Sequence, residues 1–305
     1  MTGPVFVAGC GRSGTSWLRT IVSAHPDVHI PSESLFITDY LRFGGCVPKR
    51  LLGWLFFHEP QLLCWYHGGP FDFDDPVKAV EKVHAAAAEE EGAKVWGQKT
   101  PRFVRHMELF DGCFPGIRWL LIHRDPRAVA ASMKRSGQHT YSVVRACRRW
   151  IRDNGIIIDI LRGGASPPNV MVLGFEELVT DYDRMLERIF AFLELEPIGR
   201  EEVNRDGQPV FFDRSRFRIN TVRGRLDPDP SMIDGWRGVL SAAETGYVER
   251  TCSEGMSVLG YEPPDTPRGE TGESFLLQGL ADIVIPFRYA VMWPEYLFWS
   301  GLRWT

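Results

Sequence analysis

The chain has 305 residues and carries 35 Lys and Arg against 39 Asp and Glu, a formal net charge of −4. That length suits one large α/β domain or at most two, and so even a charge balance offers no polycation for a nucleic acid backbone, so no nucleic-acid partner is expected. Charged residues at 24% and hydrophobic ones at 44% are ordinary globular values and exclude a disordered chain. Six scattered cysteines (Cys10, Cys46, Cys64, Cys113, Cys147, Cys252) form no CxxC pair and read as reduced, mostly buried thiols, not a disulfide framework or a zinc site. No basic n-region precedes the first short apolar run, and no run of about 18 uncharged apolar residues occurs. The expectation is a cytoplasmic enzyme.

Pro4 to Gly9 is an apolar run without alternation, which suits a strand buried on both faces of a parallel sheet. Trp17, Leu18, Ile21 and Val22 then fall on one helical face, and His25-Pro26 stops that helix. Val28 to Ile30 is a short strand candidate. Val77, Val80, Val83 and Ala87 make a further helical stripe, followed by a strand at Lys94 to Gly97 and a stronger one at Ile117 to Ile122. Asp125-Pro126 reads as N-cap and first helical residue of a helix to about Lys134. A long helical region from Val143 to Leu161, a strand at Val170 to Leu173 and a helix striped by Met185, Leu186, Ile189, Phe190 and Leu193 complete the pattern. Strands alternating with helices predict an α/β fold with a mainly parallel central sheet flanked by helices.

Between the first strand and the first helix lies Gly9-Cys10-Gly11-Arg12-Ser13-Gly14-Thr15-Ser16. Glycines let a backbone fold around an anion, and a helix N-terminus presents unpaired N–H groups and a positive dipole end to it. Thr15 and Ser16 add hydroxyl donors and Arg12 adds a cation. A nucleotide-hydrolysing P-loop needs lysine where Thr15 stands, and no apolar strand ends in a convincing metal-binding Asp. The loop therefore suits a phosphate-like group but not Mg-nucleotide hydrolysis, and no metal is expected.

This arrangement resembles the sulfotransferases that use 3′-phosphoadenosine 5′-phosphosulfate (PAPS), whose loop of the form Gly-x-x-Arg/Lys-Ser-Gly-Thr-Ser/Thr grips the 5′-phosphosulfate. Residues Gly9 to Trp17 match it, which assigns Gly11, Arg12, Ser13, Gly14, Thr15 and Ser16 to the donor. The motif style is nearest to the protein-tyrosine and bacterial branch. A second family motif, a strand running into Arg-Asp-x-Arg with a serine eight residues after the first Arg, holds the 3′-phosphate; here it is Leu121 to Arg127 with Ser132, and the resemblance assigns Arg124 and Ser132 to that phosphate. Val172 to Leu178 resembles the family's strand and Tyr-Glu-x-Leu segment with Phe175 replacing the tyrosine, and Trp236 with the helix ending at Leu259-Gly260-Tyr261 resembles its usual finish. The resemblance implies the sulfotransferase fold over residues 1–262, with PAPS as co-substrate and 3′-phosphoadenosine 5′-phosphate (PAP) as product.

Sulfuryl transfer to a hydroxyl needs a base for the acceptor proton, cations on the sulfonate oxygens and help for the departing phosphate. The resemblance assigns the base to Glu33, because tyrosine and several carbohydrate sulfotransferases place a glutamate at this point. The histidine that follows Lys-Thr in the small-molecule branch is replaced here by Pro101. The resemblance likewise makes Lys99 and Arg12 the expected catalytic cations. Arg223-Gly224-Arg225 loosely resembles a basic segment that closes over the 3′-phosphate, so Arg223 and Gly224 join the donor-binding set; a solvent-exposed basic loop has the same appearance. His123 reads as a satisfied strand-end histidine.

Residues 263–305 form a Pro/Gly-rich linker and an apolar extension holding Trp293, Trp299 and Trp304. This extension packs on the domain or a second subunit, or it lies in a membrane interface, which would make the enzyme membrane-associated. The acceptor is expected to be a small-molecule, lipid or carbohydrate hydroxyl. The aromatic stretch Leu35 to Phe73 reads as its apolar pocket or lid, or as helical core. A P-loop kinase-like phosphotransferase and a non-catalytic nucleotide-binding scaffold are the competing readings.

Overall fold

The computed structural model describes residues 3–43, 48–73, 75–136, 142–204 and 227–262. They divide between two compact units, Met1–Asp125 with Asp153–Asp234, and Pro126–Arg152 with Gly235–Thr305. The first unit holds a five-stranded, wholly parallel sheet: β1 (Val5–Gly9), β2 (Val28–His29), β3 (Val95–Lys99), β4 (Arg118–His123) and β5 (Val170–Gly174), in the order β2-β3-β1-β4-β5. The α/β architecture read from the alternation of elements is the one observed.

Strand β1 is buried along its whole length, as its unbroken apolar run requires. Alternation sends Val5 and Val7 to one face and Phe6 to the other. On the first face they join Leu120 and Ile122 of β4, Leu18, Ile21 and Val22 of α1 (Thr15–Val22), and Met185, Leu186, Ile189 and Phe190 of α10 (Tyr182–Phe192) in one core. On the second face, Phe6 is ringed by Trp96, Phe103, Phe110, Phe114 and Trp119, with centroids 5.1 to 5.9 Å away. Phe103 lies in a 3₁₀ turn, Pro101–His106, and Phe110 in α6 (Met107–Cys113).

The connection leaving β1 runs to β2 on one side, whereas the connection leaving β3 crosses to β4 on the other. The carboxyl end of β1 is thus where the chain reverses its winding, the place where open parallel sheets bind ligands. Gly9, Lys99, His123 and Gly174 all end their strands at this edge.

Strand β3 runs two residues further than its apolar pattern predicts. Gln98 and Lys99 look like a strand end by sequence, but they pair in register with Phe6 and Val7 of β1. The stretch read as pocket, lid or core forms α2 (Ile37–Phe43), α3 (Lys49–Phe57) and α4 (Pro60–Leu63) ahead of α5 (Pro76–Glu90). Its inner side is core: Phe56 is fully buried and meets Phe36, Tyr40 and Phe73 edge-on at 5.2 to 5.8 Å. Its outer side leaves Leu51, Trp54 and Leu55 exposed.

The second unit contains α7 (Pro126–Ser136), the first half of α8 (Val143–Arg162) and α13 (Ala242–Val258). Pro126 opens α7 as expected. Ser241 and Glu244 form the capping box that starts α13. Arg127 ties this unit together, with its guanidinium 4.6 Å from the Trp236 ring centroid and 3.0 Å from Glu249. The linker and apolar extension of 263–305 lie outside the described residues.

Phe6→Ala would open a void at the centre of five aromatic rings. The expected cost is about 3–5 kcal/mol of unfolding free energy, read from the shift in urea midpoint.

Candidate active site

The turn after β1 is built by its backbone. Gly9 has φ +146° and a Cβ there would lie 2.1 Å from the Ile122 carbonyl oxygen; Gly14 has φ +94°, and a Cβ there would lie 2.6 Å from Phe175 Cδ2. Neither position accepts another residue without displacement of its neighbour. Arg12 sits at φ 79°, a left-handed conformation that costs a non-glycine residue of order 1–3 kcal/mol and marks functional turns. The Ser13 amide closes the turn by donating to the Cys10 carbonyl at 3.1 Å, and α1 begins at Thr15, presenting its first-turn N–H groups to the concavity. The Ser13 hydroxyl is fully buried and has no hydrogen-bond partner among the described residues. A buried, orphaned hydroxyl in a glycine cradle at a helix N-terminus is a donor set awaiting an anion.

Next to this loop, β3 delivers Lys99 and the loop after β2 delivers Glu33. Lys99 Nζ lies 2.5 Å from Glu33 Oε1 and 3.3 Å from Ser16 Oγ on the first turn of α1. The two partners differ in access: the Lys99 side chain is 3% exposed, the Glu33 side chain 41%. The carboxylate is open to a visiting molecule while the ammonium sits behind it. Arg19, one turn further along α1, donates through Nη1 to the Ile30 and Pro31 carbonyls at 3.4 Å and pins the backbone leading into Glu33.

Arg124, at the end of β4, approaches the same loop from below. Its Nη1 donates to the Arg12 carbonyl at 3.3 Å, its Nη2 donates to the Met232 carbonyl at 2.6 Å, and its guanidinium stacks 3.8 Å from the Phe175 ring centroid. Glu176 accepts from the Asp125 amide at 3.1 Å, which locks the strand-to-helix turn. Ser132 is half-buried on α7 in the second unit. Arg223, Gly224 and Arg225 lie outside the described residues.

The Sulfotransferase family model matches residues 4–198, which include the loop, Glu33, Lys99 and Arg124. The chain belongs to the sulfotransferase family. It is 25% identical over 268 residues to a Caenorhabditis briggsae protein provisionally assigned by name to the protein-tyrosine sulfotransferases, covering 85% of this chain and 89% of that one. It is 23% identical over 286 residues to nodulation protein NoeE of Sinorhizobium fredii, spanning 84% of this chain but only 65% of NoeE. In fold it is similar to the sulfotransferase domain of the Synechococcus olefin synthase, with a TM-score of 0.58 at 19% identity over 86% of this chain and 95% of that domain.

The electrostatics of this sulfotransferase site follow from burial. Removal from water pulls the Lys99 ammonium below its ordinary 10.5, and the Arg19 cation nearby lowers it further; attraction and a hydrogen bond from Glu33 oppose both. Burial likewise pulls Arg19 down to about 10 against the attraction of Glu33, and His123 down to about 4, so His123 is uncharged at neutral pH. Among the described residues, no group of three or more His, Cys, Asp or Glu is arranged to hold a metal ion, and no helix is long and apolar enough to cross a membrane.

Of the residues singled out from sequence, Glu33, Lys99 and Ser16 meet directly. Arg12 and Arg124 meet through a backbone carbonyl. Sequence reading missed Arg19, Ser34, His84 and Gln98. The available signal was a glutamine and a lysine set consecutively inside a sheet strand, where polar residues need partners.

Two outcomes test this geometry. Gly14→Ala combines left-handed backbone with contact against Phe175, and should cost about 1–3 kcal/mol in thermal or urea unfolding together with loss of PAP binding by calorimetry. Lys99 holds its proton less firmly in the folded chain, so between its lowered value and 10.5 the unfolded chain binds more protons. The burial penalty is therefore present at lower pH and is relieved as pH rises through that window, while the cation itself is lost there. Turnover should show an alkaline limb below pH 10.5, and Lys99→Arg should move that limb upward.

Proposed function

We propose that this sulfotransferase takes its sulfuryl group from PAPS and passes it to a hydroxyl acceptor, with Glu33 as general base. The observation that carries the reading is the 2.5 Å contact between solvent-open Glu33 and buried Lys99, beside Ser16 of the anion loop. A carboxylate held at that point faces whatever approaches the loop from outside.

The residues present fit the donor. Ser13, Thr15, Ser16, the Gly11 and Gly14 backbone and Arg12 form a cradle for the 5′ end, and the unpartnered Ser13 hydroxyl is the donor that cradle needs filled. Arg124, already seated against the loop backbone, is assigned to the 3′-phosphate. When bound, PAPS supplies a sulfuryl group on a bridging oxygen that leaves with the 5′-phosphate. Glu33 accepts the acceptor's hydroxyl proton as the acceptor oxygen bonds to sulfur. Lys99 and Arg12 offset the charge that gathers on the departing oxygen as its bond to sulfur breaks. Fixed cations and N–H donors suffice because the transferred group carries less charge than a terminal phosphate. Thr15 in the lysine slot of a nucleotide-hydrolysing loop weighs against the phosphotransferase alternative.

For the acceptor, the aromatic wall that starts three residues after the base supports a hydroxyl on a molecule with an apolar body. Phe36 and Phe56 pack into the core there, and half-buried Tyr40 stands edge-on to Phe36 at 5.7 Å at its margin. Small-molecule alcohols, phenols, lipids and partly apolar glycosides all meet that description.

Incubating lysate metabolites with radiolabelled PAPS should yield a sulfated product with the wild type. Glu33→Ala should lower turnover by roughly 10²- to 10⁴-fold while PAP affinity stays unchanged. Equal activity in the mutant removes Glu33 as the base; Mg-dependent ATP consumption without inhibition by PAP overturns the reaction class.

A further inference from the structure

Behind Glu33 lies a chain of buried polar contacts that the reaction itself does not use. His84, on α5, is fully buried between Trp65 and Trp96, with ring centroids 4.6 and 4.9 Å away. Its Nδ1 is 2.7 Å from the Val80 carbonyl oxygen, and its Nε2 is 2.6 Å from the Gln98 side-chain nitrogen. That same nitrogen is 3.1 Å from Ser34 Oγ, which in turn is 3.4 Å from the Ser32 carbonyl. The Ser34 amide donates to Thr100 Oγ1 at 3.2 Å. Gln98, Ser34 and His84 are each fully buried.

Only one assignment of protons fits these contacts. The Val80 carbonyl can only accept, so His84 Nδ1 carries the hydrogen. Burial pulls His84 down to about 3, so the ring is neutral and Nε2 is a bare acceptor. Gln98 must then turn its NH₂ group toward His84 and spend its second hydrogen on Ser34. The Ser34 hydroxyl is left to donate to Ser32. The side-chain hydrogens run outward from Gln98, and Ser34, beside Glu33, is held from the protein interior with Ser32 tied to it.

We propose that Gln98, set by His84, is a positioning residue that fixes the 32–34 segment and so holds the Glu33 carboxylate against Lys99. The proposal rests on reading Glu33 as the base. Arg19 restrains the same loop from its other end through Ile30 and Pro31, so Gln98 supplies the restraint on the far side of the carboxylate.

Gln98→Met keeps the side chain's length and removes its donors. The expected result is a 10- to 100-fold loss in kcat with PAP affinity by calorimetry unchanged, since base misplacement costs turnover and leaves the anion loop intact. A second readout separates positioning from mere packing. Lys99 is depressed by burial and by Arg19, and Glu33 is the partner that raises it. A carboxylate that drifts away takes that support with it, so the alkaline limb of the pH–rate profile should move to lower pH in Gln98→Met. Ser34→Ala, which deletes one oxygen, should shift the limb the same way with a smaller kcat loss; it stands in if Gln98→Met does not fold. An unmoved limb in a folded variant, or loss of PAP binding in step with kcat, overturns the proposal. Failure of the base reading appears elsewhere: Glu33→Ala would then turn over like the wild type, whatever Gln98→Met does.

Discussion

A protonated lysine in a protein interior is tolerable only with a carboxylate and hydrogen-bond acceptors around it. Lys99 therefore dictates what must gather at the end of β3. The strand pins its backbone in register with β1, Glu33 answers its charge, and Ser16 takes a further donor bond. The anion loop, the loop after β2 and the central sheet thus converge on one atom. What forms is a site in which a solvent-open carboxylate and a buried ammonium neutralise each other.

The sheet explains why this convergence is possible. In a parallel sheet all strands end on one side, and neighbours in space need not be neighbours in sequence. Lys99 is supplied by β3 and the anion loop follows β1, and these strands are adjacent although strand β2 and helices α1 to α5 intervene. The apolar face of α1 fixes its N-terminus over the loop through Leu18, Ile21 and Val22. Stability and function share the same contacts here: the burial that seats α1 also aims its first turn.

Much of this was legible beforehand because local chemistry specified it. The run Pro4 to Gly9 has no other stable home than a doubly covered strand, and the glycine pattern after it permits a backbone that other residues cannot follow. The apolar helix stripes gave α1, α5 and α10 to within a few residues. What stayed hidden depended on partners distant in the chain. Gln98 and Lys99 read as the end of a strand because polar residues in a buried strand make sense only once His84, Ser34 and Glu33 are known to surround them. Arg19 drew no attention in the sequence, since nothing nearby announces the Ile30 and Pro31 carbonyls. The aromatic stretch after Glu33 kept two meanings because the burial of Phe56 and the exposure of Trp54 depend on which face each helix turns inward.

Phe175 stands where the resemblance led one to expect a tyrosine, and its ring is enclosed on several sides. It stacks edge-on with Trp17 at 5.6 Å, underlies the Arg124 guanidinium and closes the space over Gly14. A phenol oxygen is not what this location uses; a flat hydrocarbon plate is. Any descendant of this chain that acquires a methyl group at residue 14 must shrink or swing the ring at residue 175, and in doing so would unseat Arg124. Three positions remote along the polypeptide are therefore bound into one packing arrangement, and the left-handed backbone at residue 14 keeps a strain there that no change at residue 175 relieves.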